Sequence, residues 1–220
     1  MANIVTKHIP NTLTSCNLIS GCIAIVFALS ANYTMALTFI VVGAVFDFFD
    51  GMSARLLGVS SPIGKELDSL ADVVTFGVAP SSMIYTLLLT LDKSGWNETL
   101  ASAVPYVAFV MAAFSAIRLA KFNLDERQTT SFIGLPTPAN ALFWAALIVG
   151  SEDMLVAQSH VILLLIVLVF ISSWLLVAEI PMFALKFKHW GWHENRIKYV
   201  FLVSCVPILL IFGISGISVI

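Results

Sequence analysis

The chain has 220 residues, 59% of them hydrophobic and 11% charged, with a formal net charge of −2 and a mean hydropathy of +0.97. A water-soluble domain usually carries about 25% charged residues, so the composition excludes an ordinary soluble enzyme. It equally excludes a disordered chain, which would be rich in charge and poor in apolar residues. At about 20 apolar residues per spanning helix, the length allows about seven crossings of a bilayer. The cysteines Cys16, Cys22 and Cys205 are odd in number and lie in apolar stretches; they read as small packing residues rather than as a disulfide framework or a metal set.

Charged residues are scarce enough to punctuate the chain. Pro10 and Asn11 precede a stretch that continues into the membrane domain, so no cleavable signal-peptide pattern is expected. A short interfacial segment, residues 1–14, is expected to lead into helix 1 at about Ser15–Ala31, with Asn11, Thr14 and Asn17 available to cap it. Helix 2 follows at about Thr34–Leu57, after a weak turn at Asn32–Tyr33 inside an uncharged run from Ile9 to Phe46. Helix 3 begins after Ser60–Ser61–Pro62 and extends to about Leu91, with Gly77 and Pro80 expected to bend it. Helices 4, 5 and 6 fall at about Leu100–Phe122, Ala139–Gly150 and Ala157–Leu185, and Pro136 and Pro138 with Gly134 read as a loop before a proline-started helix. Helix 7 takes the uncharged run Tyr199–Ile220.

Alternating these spans from a cytoplasmic N-terminus places Lys7, Arg55, Lys65, Arg118, Lys121, Arg127, Lys186, Lys188, Arg196 and Lys198 on the cytoplasmic side and only Lys93 outside. That bias follows the positive-inside rule. The outer loops carry Asp92, Glu98, Glu152 and Asp153 instead. His8, His160, His189 and His193 are scattered and form no ligand set, and His189, Trp190 and Trp192 read as an interfacial belt.

Against this background Asp47, Asp50, Asp68 and Asp72 stand out. An ionised carboxylate at membrane depth costs a few kcal/mol, and four converging acids would repel one another. Asp47 and Asp50 are spaced i,i+3 and Asp68 and Asp72 i,i+4, so each pair shares a helix face. A short turn joins the two helices, which makes them antiparallel neighbours whose pairs can face each other. Hard divalent cations are the natural counter-charge for such oxygens, and two of them form the usual clamp for displacement at phosphorus. Gly51 and Ala54 lie on the same face as Asp47, and Gly64 precedes Asp68 by one turn, so a ligand or a backbone can approach closely. Ordinary ion pairing could account for one such acid; four acids in register with three small residues point to a site.

The string Asp47-Phe-Phe-Asp50-Gly51-Met-Ser-Ala54-Arg55, eight further residues, and Gly64-Lys-Glu-Leu-Asp68-Ser-Leu-Ala-Asp72 resembles the CDP-alcohol phosphatidyltransferase signature at all its fixed positions. The resemblance implies an all-α integral membrane protein: a six-helix core within residues 1–185 that binds two divalent ions, Mg or Mn, and works as a homodimer. Residues 186–220 would add a cytoplasmic loop and one extra C-terminal transmembrane helix. The stretches Ile9–Thr14 with Asn17, Val73–Pro80, Arg118–Asn123 and Phe132–Asn140 resemble the membrane-bound, serine-using phosphatidylserine synthase branch.

By that resemblance Asp47, Asp50 and Asp68 are metal ligands, and Asp72 is a ligand and the candidate general base. Gly51, Ala54, Gly64, Arg55 and Asn17 belong to the CDP and substrate site, Arg55 either touching phosphate or balancing the acids. Arg118, then Lys121, with Asn123 and the Gly134–Asn140 loop opposite, are the acceptor-binding candidates; the basic pair could instead anchor the helix at lipid phosphates. The implied reaction transfers the phosphatidyl group of CDP-diacylglycerol to the hydroxyl of L-serine, releasing CMP. It would take place at the cytoplasmic face of the cell's inner membrane, among membrane lipids and without a nucleic-acid partner. A sister enzyme using glycerol phosphate or inositol phosphate is the nearer alternative. An ion transporter is the remote one, since its usual repeat with broken helices is missing and the acids cluster at one end.

Overall fold

The computed structural model describes residues 4–59, 61–124, 132–156 and 161–182, together with 196, 199, 205, 207, 208, 211 and 213–218. Among these, six helices build a bundle: α1 (Ile4–Leu29), α2 (Tyr33–Leu57), α3 (Pro62–Thr90), α4 (Glu98–Leu124), α5 (Thr137–Val156) and α6 (Val161–Val177). The first four contain stretches long and apolar enough to cross a membrane. α5 carries Glu152 and Asp153 in its last turns, and α6 is a shorter, uncharged helix. Ile19, Val26, Val41, Val45, Ile117, Leu163, Phe170 and Trp174 all point outward and are largely exposed. Outward apolar faces on long, mostly apolar helices belong in lipid, and the chain is an integral membrane protein.

Local chemistry sets the α2–α3 hairpin. The Asn32 side chain caps α2 by accepting from the Met35 N–H at 3.2 Å, and Gly58 ends that helix in the left-handed region at φ 61°. Ser61 then caps α3, its Oγ accepting from the Gly64 N–H at 2.9 Å, with Pro62 at the first helical position. The two helices therefore run antiparallel, and the C-terminal half of α2 faces the N-terminal half of α3.

α3 is the central helix, and Phe76, Met83, Ile84, Leu87 and Leu88 bury completely. They pack with Ile40 of α2, Met111 of α4, Trp144 and Ile148 of α5 and Leu165 of α6 in one core. Trp144 Nε1 donates to Ser172 Oγ at 3.1 Å, which ties α5 to α6. At the Gly77–Pro80 stretch expected to bend it, α3 widens into a π-helical turn over Val73–Val78, and the Ala79 N–H bonds the Val74 carbonyl five residues back. Pro80 has no N–H to continue an α-helical ladder, and the π-turn absorbs that break without interrupting the span. Gly77 lets α3 pack tightly on α4: a Cβ there would stand 3.1 Å from Ser115 Cβ. α4 contains its own irregularity, a 3₁₀ turn over Val104–Ala108 around Pro105.

Three boundaries differ from the sequence reading. α1 starts at Ile4, so the stretch read as interfacial, residues 1–14, is helical from Ile4 onward with Pro10 inside the helix; Asn11, Thr14 and Asn17 sit within the helix and do not cap it. α5 is longer than expected, from Thr137 to Val156. α6 ends at Val177, ahead of the expected Leu185, because the chain then turns into β2 (Pro181–Met182), which pairs antiparallel with β1 (Phe132–Ile133). Of the seventh helix, Tyr199–Ile220, only scattered positions are described; Gly213–Ser218 forms a 3₁₀ turn, and Ser215 Oγ donates to the Gly150 carbonyl at 3.1 Å, docking that turn on α5. Ser60, Arg127, His160, Lys186, Lys188, His189, Trp190, Trp192, His193 and Lys198 lie outside the described residues.

Candidate active site: aspartates between two pockets

The hairpin delivers what the i,i+3 and i,i+4 spacings imply. Carboxylate oxygens of Asp47, Asp50 and Asp68 lie within 4.8 Å of one another. Asp72 lies one turn beyond Asp68 on α3 and is buried. Neighbouring side chains orient two of the four acids. The Thr14 hydroxyl stands 2.6 Å from Asp50 Oδ2 and 3.0 Å from the Pro10 carbonyl, with one proton to give to either. Asn17 Nδ2 donates to Asp72 Oδ1 at 3.1 Å. Asp68 Oδ1 is buried without a hydrogen-bond partner. An acceptor-only oxygen left bare beside two further carboxylates is a poor arrangement by itself and a good one for a hard cation. The residues present therefore fit a divalent metal site.

Two pockets open on this cluster, and Asp68 and Lys65 line both. The first, of about 210 Å³, is walled by Asn11 and Thr14 of α1, Asp50, Gly51 and Ala54 of α2, and Gly64 of α3. Gly51 presents open space, since a Cβ there would meet nothing within 4 Å. At Gly64 a Cβ would stand 3.0 Å from Ser61 Oγ and 3.1 Å from Asn11 Oδ1, so the glycine lets α1 close over the start of α3. The second pocket, of about 250 Å³, is lined by Asp72 and Ser69 of α3, Arg118 and Asn123 of α4, and Pro136–Thr137–Pro138 at the start of α5. Lys65 Nζ donates to the Asn123 carbonyl at 2.7 Å and Asn123 Nδ2 to Ser69 Oγ at 2.8 Å, which fastens α3 to the end of α4. Arg118 is buried over the Phe122 ring, 6.0 Å from its centroid, with Nε unpartnered. Thr137 Oγ1 is likewise buried and unpartnered.

The loop before α5 is held in place from the end of α6. Gly134 adopts φ 77°, and a Cβ there would stand 2.6 Å from the Leu176 carbonyl oxygen. Its N–H donates to the Ile180 carbonyl at 3.0 Å, and Leu135 N–H to the Leu175 carbonyl at 2.9 Å.

Of the residues singled out in the sequence, Asp50, Asp68, Asp72, Gly51, Ala54, Gly64, Arg118 and Asn123 line these pockets, and Asp47 stands with Asp50 and Asp68 in the acid cluster without lining either. Asn17 stands wholly buried behind Asp72 and not on a pocket wall, since it is spent on orienting that carboxylate. Arg55 is exposed beyond Ala54 and lines neither pocket, and Lys121 is exposed beyond the rim of the second. Thr14 and Ser69 carry parts of the site that the sequence reading did not assign, while Thr137 falls in the Gly134–Asn140 loop it put opposite Arg118. The repeat Asn11–Thr14–Asn17, three residues apart on one helix face, is the signal that could have found the first.

The family model for CDP-alcohol phosphatidyltransferase matches residues 7–185. The chain is 40% identical over 136 residues to a CDP-diacylglycerol–serine O-phosphatidyltransferase of Bacillus subtilis (strain 168), covering 60% of this chain and 70% of that one. It is 36% identical over 141 residues to the enzyme of the same name from Mycobacterium leprae (strain TN), covering 61% and 44%. With that of Helicobacter pylori (strain J99 / ATCC 700824) it shares 40% over 135 residues, covering 60% and 54%. The match thus spans about half the length of the latter two relatives. The chain, with the signature acids brought to one centre, belongs to the CDP-alcohol phosphatidyltransferase family.

Proposed function

We propose that the protein transfers the phosphatidyl group of CDP-diacylglycerol to the hydroxyl of L-serine, giving phosphatidylserine and CMP. The observation that carries the reading is the position of the acids between two separate pockets, with Asp68 on the wall of both. A transfer enzyme must bring a donor and an acceptor to one atom from two sides. The glycine-lined pocket admits the diphosphate and cytidine of the donor, while its acyl chains stay in lipid beside the exposed Phe48 and Phe49 of α2.

Asp47, Asp50, Asp68 and Asp72 would hold two divalent ions, Mg or Mn, which when bound neutralise the diphosphate and the charge developing on CMP. Asp72 faces the second pocket, where it is placed to take the proton of the attacking hydroxyl; a serine hydroxyl is a poor nucleophile at neutral pH without such a base. Asn17 occupies one oxygen of Asp72 and leaves the other for that work. Serine brings a carboxylate and an ammonium, and the buried Arg118 guanidinium with a free Nε supplies the fork that suits the carboxylate. The names of the relatives, all serine transferases, support the same acceptor. On this reading the active form is a homodimer in the inner membrane, with its active site facing the cytoplasm.

The test is release of CMP from CDP-diacylglycerol by purified protein offered serine, glycerol 3-phosphate and inositol phosphate in competition. Serine should be consumed preferentially by tenfold or more, which corresponds to about 1.4 kcal/mol. Preference for a phosphorylated alcohol would assign the protein to a sister activity of the family.

A further inference from the structure

Behind the acids three helices meet on one side chain that the reading above does not use. Thr75, in the π-turn of α3, is wholly buried, and its hydroxyl donates to the main-chain carbonyl of Asn17 in α1 at 3.0 Å. Two glycines make room for it. A Cβ at Gly21 of α1 would overlap the Thr75 hydroxyl, and one at Gly43 of α2 would stand 2.5 Å from Thr75 Cγ2 and 2.9 Å from Asn17 Oδ1. The hydroxyl edge of the side chain thus faces α1 and the methyl edge faces α2. Asn17 is held at its carbonyl by Thr75, while its side-chain oxygen is buried beside Gly43 without a hydrogen-bond partner. Its remaining polar group, Nδ2, points at Asp72 Oδ1.

We propose that Thr75 is a positioning residue for the transfer reaction: through Asn17 it fixes the orientation of the Asp72 carboxylate, and with it the oxygen that Asp72 presents to the acceptor pocket. The proposal rests on the reading of Asp72 as the group that takes the acceptor's proton. The π-turn contributes directly, because it lies between Asp72 and the α-helical remainder of α3 and turns Thr75 into the α1–α2 seam. A side chain that only filled space there would depend on its shape; a positioning residue depends on its hydroxyl.

Threonine offers a clean separation of the two roles. Thr75→Val keeps the shape and removes the donor, and Thr75→Ser keeps the donor and removes the methyl group that packs on Gly43. The experiment measures steady-state CMP release by the purified full-length variants in detergent, with serine and CDP-diacylglycerol varied in turn, alongside their melting temperatures. Thr75→Val should lower kcat by about tenfold or more, with KM for CDP-diacylglycerol within about threefold, the split expected when only the chemical step is disturbed. Thr75→Ser should keep kcat within about threefold even where its melting temperature falls. In an Asn17→Ala background, Thr75→Val should cost less than about twofold more, since two groups acting through one path are not additive.

A Thr75→Val protein with kcat within threefold of wild type, kcat values that follow melting temperature so that Ser falls below Val, or additive losses in the double variant would each overturn the proposal. If Thr75→Val yields no folded protein, Thr75→Ala replaces it in the same comparisons. Asp72→Asn separates the two levels. If that variant is fully active, the role of Asp72 itself fails; if it is inactive while Thr75→Val is not, only the positioning role fails.

Discussion

Asp68 stands on the wall shared by the two pockets with one buried oxygen unpartnered. Leaving such a group unmade costs a protein about 1–3 kcal/mol, so its retention marks work other than holding the fold together. Asp68→Ala should therefore leave the melting temperature in detergent unchanged or raised while activity falls below about a tenth of wild type, since lost electrostatic stabilisation typically costs 10²-fold or more. A folded Asp68→Ala protein above that level would remove Asp68 from the metal set. Asp72→Asn asks a different question. An amide oxygen still accepts from Asn17 Nδ2, but it cannot take a proton from the acceptor. Binding of CDP-diacylglycerol should persist while serine transfer drops by about 10²–10⁴, the usual worth of a general base; undiminished transfer would exclude Asp72 from that role.

Arg118 lies in the second pocket, away from the glycine-lined one. Arg118→Gln should accordingly raise the apparent KM for serine by more than about tenfold and leave that for CDP-diacylglycerol within about threefold, tenfold being about 1.4 kcal/mol. The reverse pattern in the two KM values would move Arg118 to the lipid donor.

At the scale of elements, the α5 entry loop depends on one backbone conformation. Gly134→Ala puts a Cβ at φ 77°, 2.6 Å from the Leu176 carbonyl oxygen. The left-handed conformation alone costs an L-residue about 1–2 kcal/mol, and the contact adds to that. The variant should melt at a lower temperature and, on the proposed reading, weaken serine use, because Pro136, Thr137 and Pro138 of the second pocket begin two residues further on. Unchanged melting and unchanged kinetics would show that the loop holds its place without the α6 contacts.

Elements whose limits are written locally were legible in the sequence. α2 and α3 were, because Asn32, Gly58, Ser61 and Pro62 supply their own caps and stops. The acid pairs and the small residues beside them were legible for the same reason, since helical spacing alone puts them on one face. The start of α1 was not: Pro10 reads as a boundary, yet Thr14, within the same helix, is held to Asp50, 36 positions away in sequence. The end of α6 was hidden too, because it is set by pairing with Phe132–Ile133, a contact between distant segments. Gly77 and Pro80 signalled an irregularity in α3 but not its kind; a π-turn depends on what packs around it.

At the scale of the whole molecule, the bundle has two unlike ends. The C-terminal halves of α2 and α4 and the N-terminal halves of α3 and α5 bring Arg55, Lys65, Arg118 and Lys121 to the end that holds the acids. Asp92, Lys93, Glu98, Glu152 and Asp153 lie at the opposite end. Basic residues gather on the cytoplasmic side of membrane proteins, which supports the proposed cytoplasmic orientation of the pockets. The acids in turn require a counter-charge that the four carboxylates do not supply to one another. The most direct measurement is CMP release from CDP-diacylglycerol and serine by the purified protein, before and after chelation of divalent ions. The account predicts that chelation abolishes serine-dependent CMP release and that added Mg or Mn restores it in wild type but not in Asp68→Ala. A chelated protein that continues at the full rate, or CMP release that ignores serine, would contradict it.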